Sequence, residues 1–581
     1  MRGTKQSYKS MHKLLQHFKE LTIRPKNAKK LKGLILQLAI QGKLTANWRE
    51  QNQDIEPASE LLKRIQKEKE LLIKGKKIKK EKVLSPITKD EIPHKLASCW
   101  SWSRLGNYVH YGALSKYENK DASKDTWVLE LEDIEKGSSK LLNKVRFSKR
   151  DFKSTKSVFK KSDVVYGKLR PYLDKVIVAD EDGVCTTEMI PIKSFNNCNP
   201  EYLRLYLKSP RFIEYANGST HGMRMPRMGI DVVKNALVPI PPLEEQKEIV
   251  NVVEILFKEV EQLEQLTVAR IGLKEDFVTS ALQQLTTNNA KQEWTFLQEH
   301  FKSFFNETTN IKKLRETVLQ LAVQGKLTAD WRENNPDTED ASILLKRIKA
   351  EKAQLIKDKK IKKEKGLPSI AKEEIPYELP EGWVWCRIID VCERVTDGFH
   401  HTPTKLDKGI RYVSATHIKE EGVLWDNCHF IGEKEHLELF RKASQGKGDV
   451  LIVNRGAGCG TPAIVDIDEP FSFQNAALIG FNQLYINSHY MNNFILQKRT
   501  EIMDIFTNGG AQPMLSNKIL KTLLFPFPPI KEQKAIVEKV NALMDLCDAL
   551  DQEVQQSQEH SEKMMQSVLR EVFEGEKADA I

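Results

Sequence analysis

The sequence predicts an α+β protein: two mixed α/β domains separated by long antiparallel coiled-coil helices, with an internal pseudo-two-fold duplication. Three observations support this fold class. One stretch occurs twice, as LQLAIQGKLTANWRE at Leu36–Glu50 and as LQLAVQGKLTADWRE at Leu319–Glu333. Each copy precedes a segment that differs between the two halves of the chain. Each differing segment is followed by two prolines and then by a long apolar pattern of helical period.

The duplication extends well beyond this stretch. At a constant offset of 283 residues, the match runs without a gap over about residues 11–104 of the first copy. It is lost over residues 105–235 and 388–522, and it resumes at Pro241 and Pro528 with PPLEEQKEIV and PPIKEQKAIV. A repeat of this length is too long for a solenoid, so it indicates duplication of a domain with its connectors. We call the matching parts the frame and the two divergent parts the inserts.

The order of the repeated parts predicts how the two ends of the chain are related. The C-terminal helix has no GKLTA stretch after it, and the spare copy stands at the N-terminus. A closed arrangement, in which the N-terminal frame completes the C-terminal helix, would use every copy equally. We therefore expect the two ends of the chain to lie close together.

The boundaries of the repeat predict five segments. They are an N-terminal helical frame (1–99), a first insert domain (100–240), a central frame (241–382), a second insert domain (383–528) and a C-terminal spacer helix (529–581).

The frame contains two long helical patterns, Leu243–Leu285 and Ile530–Phe573. Their apolar residues alternate at spacings of three and four, which is typical of a helix packed on one partner helix. Prolines precede both helices, and Glu244 and Glu245 occupy the first turn of the first, as suits a helix N-terminus. A helix over Leu243–Leu285 would be about 65 Å long, which is more than one small domain needs. We interpret both helices as spacers.

The doubled GKLTA stretch is predicted to end a second kind of frame helix. Gly42 and Gly325 stand where a C-cap glycine belongs. A Trp-Arg pair follows each glycine, and it has two possible roles. The tryptophan could fill the end of the helix pair, or the pair could form a docking surface for a partner, since aromatic and arginine side chains are favoured at protein interfaces. The candidate partner-binding residues are Trp48, Arg49, Trp331 and Arg332.

The two inserts follow one plan in different letters. SDVVYGKLRPYLDKVIVADEDGVCTTEMIPI in the first and GDVLIVNRGAGCGTPAIVDIDEPFSFQNAALIGF in the second each predict strands joined by turns. Asp163–Val165 is expected to correspond to Asp449–Leu451. Arginine, asparagine and glutamine are the usual readers of base edges, although each one could instead be a surface residue or a structural ion pair. The candidate contact residues are Lys168, Arg170, Tyr172, His221, Arg224, Arg227, His400, His401, Asn454, Arg455 and Gln512.

Composition limits the class of protein but does not name it. The 91 basic and 80 acidic residues leave a formal charge of +11, which suggests a polyanionic partner without separating a DNA binder from an ordinary basic protein. The eight cysteines occur without a CxxC pair, as expected for reduced thiols in a cytoplasmic protein. No apolar run is long enough to span a bilayer, and the N-terminus does not resemble a signal peptide, so neither a membrane anchor nor secretion is predicted.

The sequence contains no recognisable catalytic motif. A GxxxxGK[ST] loop, an asparagine-Pro-Pro-aromatic methyltransferase segment, HExxH and GxSxG are all missing. The glycine-rich stretch Arg455–Thr461 lacks the lysine and the βαβ spacing of a nucleotide site. His400 and His401 have no carboxylates at ligand spacing, so we predict no metal site. No catalytic residue and no cofactor bound by this chain are predicted.

In this order, the motifs resemble the specificity subunit of type I restriction–modification systems. The resemblance rests on two divergent domains, each followed by PPLEEQKEIV or PPIKEQKAIV and a long helix, on the paired GKLTANWRE and GKLTADWRE stretches, and on PEGWVW at Pro380–Trp385. It covers nearly the whole chain. Two features at the start of the first insert domain depart from the family pattern. Roughly 100 residues precede the domain, and LASCW at Leu96–Trp100 stands where the second copy has LPEGW.

The resemblance implies a DNA-recognition subunit without catalysis of its own. Each insert would be a target-recognition domain that reads one half of a split site in double-stranded DNA. The helical frame would set the gap and seat two modification subunits, which are adenine-N6 methyltransferases using S-adenosylmethionine. Restriction subunits, which use ATP and Mg²⁺ to translocate and cleave DNA, would join that core. The expected location is the bacterial or archaeal cytoplasm.

One alternative class stays open from the residues alone. A scaffold protein could use the duplicated helices to bind two identical partners without reading DNA. A fixed frame around two divergent inserts favours the reader of a split site, because the divergence lies where sequence would be read. A self-sufficient methyltransferase or nuclease disagrees with the missing motifs.

Overall fold

A computed structural model describes residues 25–574 with gaps at 81, 113–114, 222–224, 288–290, 365, 441–444, 457 and 508–513. The chain forms two compact units. One comprises the chain up to Ile271 together with the chain from His560, and the other comprises Gly272–Glu559. No helix in the described ranges is long and apolar enough to cross a membrane.

The two predicted spacer helices are present at nearly the predicted bounds. The first spacer helix is Leu243–Thr287 and the second is Ile530–Glu574, each of 45 residues. Ile249, Val253 and Val260 of the first are buried in one cluster with the helix Pro25–Ile40. The antiparallel coiled-coil pairing of the two spacers stays a prediction.

The second spacer helix buries its apolar positions in the same way. Ile536, Val537 and Val540 share a core cluster with the helix Thr308–Val323. Further along the helix, Cys547, Leu550 and Val554 form a cluster with Val278, Ala281 and Leu282 of the first spacer and with residues of Thr308–Val323. Each half of the frame thus rests a spacer helix on the helix that ends in GKLTA.

Three of the remaining frame helices in the second copy match the three described in the first copy. Gly42 and Gly325 end the longer ones with φ angles of 72° and 70°, which confirms the predicted C-caps. Lys30 of the first frame helix pairs with Glu562 of the second spacer, which agrees with the expected closeness of the chain ends. The frame helices are Pro25–Ile40, Ala46–Gln51 and Ala58–Lys74 in the first copy, and Lys291–Glu299, Phe301–Phe304, Thr308–Val323, Ala329–Glu333 and Ala341–Lys357 in the second, with 3₁₀ turns at Lys89–Glu91, Lys326–Thr328 and Lys372–Glu374.

Each insert is a mixed α/β domain whose first and last strands pair with each other. Ser101–Arg104 pairs with Leu237–Ile240, and Val384–Arg387 pairs with Leu524–Phe527, both antiparallel. Helices pack against the sheets of each insert. They are Leu105–Tyr108, Pro200–Leu207, Pro210–Gly218 and Ile230–Asn235 in the first insert, and Ile388–Val391, Glu433–Phe440, Ser488–Thr507 and Asn517–Thr522 in the second, with 3₁₀ turns at Asn119–Asp121, Leu131–Asp133, Pro171–Leu173, Ala415–His417 and Trp425–Asn427.

The two inserts share one sheet topology although their sequences do not align by eye. Each has a four-stranded antiparallel sheet in the same spatial order. In the first insert the order is Val109–Tyr111, Met189–Ser194, Val164–Gly167, Val176–Val178, and in the second it is Arg394–Asp397, Ala476–Gly480, Val450–Val453, Pro462–Ile464.

A second sheet in each insert contains one parallel pair of strands. Its strands are Lys116–Tyr117, Lys156–Phe159, Gly183–Cys185 and Trp127–Leu129 in the first insert, with the last two parallel, and His429–Ile431, Ile410–Ser414 and Phe471–Gln474 in the second, again with the last two parallel. Small two-stranded ribbons complete the domains. They are Thr220–His221 with Arg227–Met228, and Ile418–Lys419 with Gly422–Val423.

A buried aspartate begins the central strand of each insert, as the sequence predicts. The Asp163 carboxylate accepts a hydrogen bond from the Lys160 backbone N–H at 2.8 Å, and Asp449 accepts one from Gly446 at 2.9 Å. Burial raises the pKa of both carboxyls, and the Arg394 guanidinium opposes this effect at Asp449. The predicted correspondence between the two strands is therefore confirmed.

The central strands are buried on both faces, which explains their unbroken apolar sequence. Val164 and Tyr166 pack in the core that lies under the helices, while Val165 packs between the two sheets. The second insert repeats this alternation, with Ile452 under the helices and Leu451 between the sheets. Because successive side chains point to opposite faces of a strand, each central strand contributes residues to two different cores.

The structure predicts opposite effects for two glycine substitutions. A Cβ added at Gly398 would lie 2.1 Å from the Phe473 carbonyl oxygen, so Gly398→Ala should destabilise the second insert by about 1–3 kcal/mol. A Cβ at Gly272, inside the first spacer helix, meets nothing within 4 Å. Gly272→Ala should therefore stabilise the chain by about 0.5–1 kcal/mol. Denaturant unfolding measures both, and destabilisation by Gly272→Ala would contradict the helix.

Candidate functional site

The GKLTA stretch and the start of the first spacer helix meet at one buried carboxylate. Glu245 is fully buried. Its Oε1 accepts hydrogen bonds from Thr45 Oγ1, at 2.6 Å, and from Arg49 Nη1. Its Oε2 accepts one from the Trp100 indole N–H at 2.7 Å. We call this arrangement of Thr45, Arg49, Trp100 and Glu245 the first clasp.

The second clasp repeats the first contact for contact. Glu532 is 1% exposed, and its Oε1 accepts from Thr328 Oγ1 at 2.7 Å and from Arg332 Nη1 at 2.6 Å. Its Oε2 accepts from the Trp383 indole N–H at 2.8 Å. The duplicated sequence therefore encodes a duplicated junction that joins three separate parts of the frame.

Glycine has two reasons to precede each clasp. Its left-handed φ would strain any other residue, and the space beside it is filled. A Cβ at Gly325 would lie 2.6 Å from Pro380 and 3.0 Å from Trp383, while one at Gly42 would lie 3.0 Å from Trp100. The tight turn thus presses the indole of the clasp against the end of the frame helix.

The structure separates the four candidate partner-binding residues into two kinds. The guanidinium groups of Arg49 and Arg332 belong to the clasps, where they pair with buried carboxylates inside the chain. Trp48 and Trp331 are half-buried and lie beside the clasps on the surface. The indoles buried against the ends of the frame helices belong instead to Trp100 and Trp383. Docking at Trp48 and Trp331 stays a prediction.

The residue after each clasp glutamate ties the frame to its insert. The Gln246 side-chain carbonyl accepts a hydrogen bond from the Asn199 backbone N–H at 2.9 Å, at the start of an insert helix. Gln533 accepts the matching bond from Asn487 at 2.8 Å. A Glu-Gln pair at each spacer start therefore holds the frame with one side chain and the insert with the next.

A difference between the two copies has a compensating change elsewhere. Asp330 pairs with Lys539 of the second spacer at 2.6 Å. The first copy has Asn47 instead, and the residue that corresponds to Lys539 at the 287-residue offset is Val252. The Asp330 side chain is 67% exposed, so this pair contributes little to stability. It makes the two copies differ in surface charge beside otherwise equal clasps.

Five candidate contact residues of the first insert lie on two neighbouring segments at one end of the domain. The turn after the central strand contacts the ribbon through its backbone: Lys168 accepts from the Met228 N–H at 3.1 Å, and the Arg170 N–H donates to the Pro226 carbonyl at 2.8 Å. Tyr172 follows on the turn and is 53% exposed. The ribbon contributes His221 and Arg227, and Arg224 lies outside the described residues.

Arg170 and Arg227 differ in how far their guanidinium groups are engaged. Arg227 Nε donates to Glu188 at 3.0 Å, and this hydrogen bond raises the pKa of the Arg227 guanidinium. Arg170 has a φ of 51°, in the left-handed region that non-glycine residues rarely adopt, and its buried Nε has no hydrogen-bond partner within the described residues. Such strain is typical of functional turns.

The candidates of the second insert cluster in the same place, but they differ in exposure. Arg455, His400 and His401 are exposed. Asn454 is only 8% exposed, and its side-chain N–H donates to Asp397 at 2.9 Å, so its amide is engaged inside the domain. Gln512 lies outside the described residues. Within the described ranges, no three His, Cys, Asp or Glu side chains lie close enough together to hold a metal ion.

Several residues of these sites were missed by reasoning from the sequence. The repeat itself marks them, because the Glu-Gln pair and the clasp tryptophan are identical in both copies. Their pairing, across 145 residues for Trp100 with Glu245 and 204 residues for Thr328 with Glu532, is visible only in the folded chain. Asp397 carries no such mark, since it lies in an insert. The missed residues are Trp100, Glu245, Gln246, Trp383, Asp397, Glu532 and Gln533.

Residues 112–269 and 380–559 match the family model of the type I restriction modification DNA specificity domain, and together they cover more than half of the 581 residues. The chain belongs to this family. Specificity subunits are the non-catalytic, DNA-recognising subunits of restriction–modification complexes, as the resemblance implied. The predicted absence of catalysis by this chain is in agreement with its membership.

Similar proteins match almost end to end. The specificity subunit of the Escherichia coli type I restriction enzyme EcoAI is 32% identical over 554 residues, which cover 90% of each chain. That of EcoEI, also from Escherichia coli, is 28% identical over 563 residues and 91% of each chain. A chain solved in a study of complex assembly and conformational transition of the type I R-M system has a TM-score of 0.51 at 18% identity, covering 83% of this chain and 99% of that one. This likeness supports the fold.

The clasps predict a large difference between two neighbouring substitutions. Glu532→Gln removes the charge that Arg332 pairs with in a buried site, and it should lower the free energy of unfolding by about 3 kcal/mol. The matched control is Asp330→Asn, which copies the first frame and breaks only the exposed pair with Lys539. It should cost less than about 1 kcal/mol. Equal losses in denaturant unfolding would show that the clasp is not a special junction.

Proposed function

We propose that this specificity subunit reads a bipartite site in double-stranded DNA, one half with each insert. The frame sets the gap between the halves and seats two modification subunits. The observation that carries the proposal is the shared topology of the inserts: one sheet order is used twice, and different side chains stand at the same strand ends. A constant backbone with changed side chains suits two half-sites of different sequence.

The register of the strands supports this comparison. The strands Val164–Gly167 and Val450–Val453 hold the same place in their sheets, and Lys168 follows one where Asn454 follows the other. One residue later, Leu169 bridges to the ribbon in the first insert, and Arg455 bridges to Met514 in the second. The two turns are therefore equivalent positions that present unlike chemistry to a ligand.

The exposed and half-buried side chains at these turns have the chemistry of DNA contacts. Arginine can bind the guanine edge with two hydrogen bonds, and tyrosine and histidine can donate to phosphates or bases. In the second insert we assign this role to Arg455 with His400 and His401. In the first we assign it to Arg170 with Tyr172. Lys168, His221 and the Glu188-paired Arg227 would position the backbone of the DNA.

The repeated frame supports two similar seats for partner subunits. Since the clasps match contact for contact, the surfaces beside them carry the same half-buried Trp48 and Trp331. Two identical modification subunits would use these surfaces, and restriction subunits would join the resulting core. S-adenosylmethionine would be bound by the modification subunits, and ATP and Mg²⁺ by the restriction subunits. The complex would act in the bacterial or archaeal cytoplasm.

The length of the spacers suits a divided site. Half-sites on one face of DNA recur at about 34 Å, one turn of the duplex. A helix of 45 residues is about 68 Å long, and it is packed towards both ends, at Ile249, Val253 and Val260 and again at Val278, Ala281 and Leu282. A helical spacer can therefore fix the gap between the halves, which a loop of the same length could not.

Exchange of one insert tests the proposal. Residues 105–235 are replaced by the insert of another specificity subunit, and the methylated sites of a host lacking other such systems are read by sequencing. One half of the recognised sequence should change, while the other half and the gap stay the same. Exchange of residues 388–522 is the matched control and should change the opposite half. A change in both halves after either exchange, or in neither, would contradict the proposal.

A further inference from the structure

Asp397 lies where three segments of the second insert come together. It ends the strand Arg394–Asp397 at the edge of the four-stranded sheet. The next residue, Gly398, passes so close to Phe473 that a Cβ would lie 2.1 Å from the carbonyl oxygen of that residue. Packing therefore fixes the backbone at Asp397, and the carboxylate stands at a defined point.

The carboxylate of Asp397 joins two amides from distant parts of the chain. Asn454 Nδ2 donates to Oδ1 at 2.9 Å, and Asn517 Nδ2 donates to Oδ2 at 2.8 Å. Asn454 follows the central strand, and Asn517 begins the helix Asn517–Thr522. Both partners are neutral, so this carboxylate is held by amide donors and not by a neighbouring cation among its described contacts.

Two of the three joined segments also carry exposed candidate contact residues. His400 and His401 come three and four residues after Asp397, and Arg455 comes directly after Asn454. Backbone contacts tighten the same junction: the Leu515 N–H donates to the Asn454 carbonyl at 2.9 Å, and Arg455 forms a bridge with Met514. The junction therefore fixes how the exposed side chains stand relative to one another.

The junction contains buried polar atoms that its own hydrogen bonds do not satisfy. The remaining amide oxygens of Asn454 and Asn517 are buried, and neither has a hydrogen-bond partner within the described residues. Buried unpaired acceptors are rare in folded proteins, and each needs a reason. Lys168 takes the place of Asn454 in the first insert, so the equivalent amide-to-carboxylate bond is not encoded there.

We propose that Asp397 is a positioning residue for DNA recognition by the second insert. Its carboxylate holds the segments of His400, Arg455 and Asn517 in the arrangement that reads one half-site, without touching the DNA itself. This inference rests on the proposed function of the insert. It assigns specificity to a half-buried hydrogen-bond junction as well as to the side chains that reach the bases.

A reversal of the pair separates positioning from direct contact. Asp397→Asn removes the carboxylate, while Asp397→Asn combined with Asn454→Asp places an amide and a carboxylate opposite each other in the reverse order. Asp468→Asn is the matched control, because this carboxylate belongs to the same insert and is 79% exposed. It precedes the strand Phe471–Gln474 at the Phe471 end, opposite to Gln474. The complete subunit of each variant is expressed with its modification subunits in a host lacking other such systems, and the methylated sites of the genome are sequenced.

Asp397→Asn should lower the discrimination among bases in one half-site by roughly tenfold at more than one position, about the size of one lost base contact at each. The other half-site and the gap should stay unchanged, and the reversed pair should restore much of the discrimination. Asp468→Asn should leave all positions unchanged.

Three outcomes would overturn the inference. Loss of discrimination at a single position that the reversed pair does not restore would show that Asp397 contacts a base itself. Unchanged base preference in the Asp397→Asn variant would show that the junction is only structural. The third outcome concerns both half-sites. If Asp397→Asn abolishes methylation altogether, and the reversed pair restores methylation but with relaxed base preference in both half-sites, Asp397 would have a role in the whole subunit. The unaltered subunit separates failure of this inference from failure of the proposed function. If the unaltered subunit does not direct methylation to a bipartite sequence, the proposed function itself fails.

Discussion

A buried carboxylate at the start of each spacer helix is the interaction on which the rest of the chain depends. Glu245 and Glu532 each accept three hydrogen bonds from a threonine, an arginine and a tryptophan that lie far away in sequence. A buried charge is costly unless it is paired and fully hydrogen-bonded, so the three donors must all be present together. This requirement explains why the same residues occur in both copies.

The clasps also explain how the inserts can diverge while the frame does not. Each insert is held at its two ends by a pair of antiparallel strands and by the glutamine that follows the clasp glutamate. All of these contacts use backbone groups or frame residues. The turns beyond the central strands lie outside this set, and their side chains can change without disturbing the junction. Variable and constant residues therefore lie in different segments of the same small domain.

The sequence predicts most of this architecture because a duplication compares the chain with itself. The spacer helices, the C-cap glycines and the equivalence of Asp163 with Asp449 all follow from local pattern, and the structure confirms them. The clasp donors were visible as repeated letters, but their pairing was not, because hydrogen bonds between residues 145 to 204 apart leave no local pattern. Arg49 and Arg332 looked like interface residues for the same reason. The burial of Asn454 depends on Asp397 across the sheet, which no spacing in the sequence reveals.

The division of labour between frame and inserts is the central claim, and the surface beside the clasps tests it most directly. Trp48 and Trp331 are both replaced by alanine. The amount of modification subunit that copurifies with the chain is measured, and the methylated sites of the host are sequenced. The account predicts that fewer modification subunits are bound while the recognised sequence and its gap stay the same. A changed recognised sequence would contradict it, because the frame would then take part in reading the DNA.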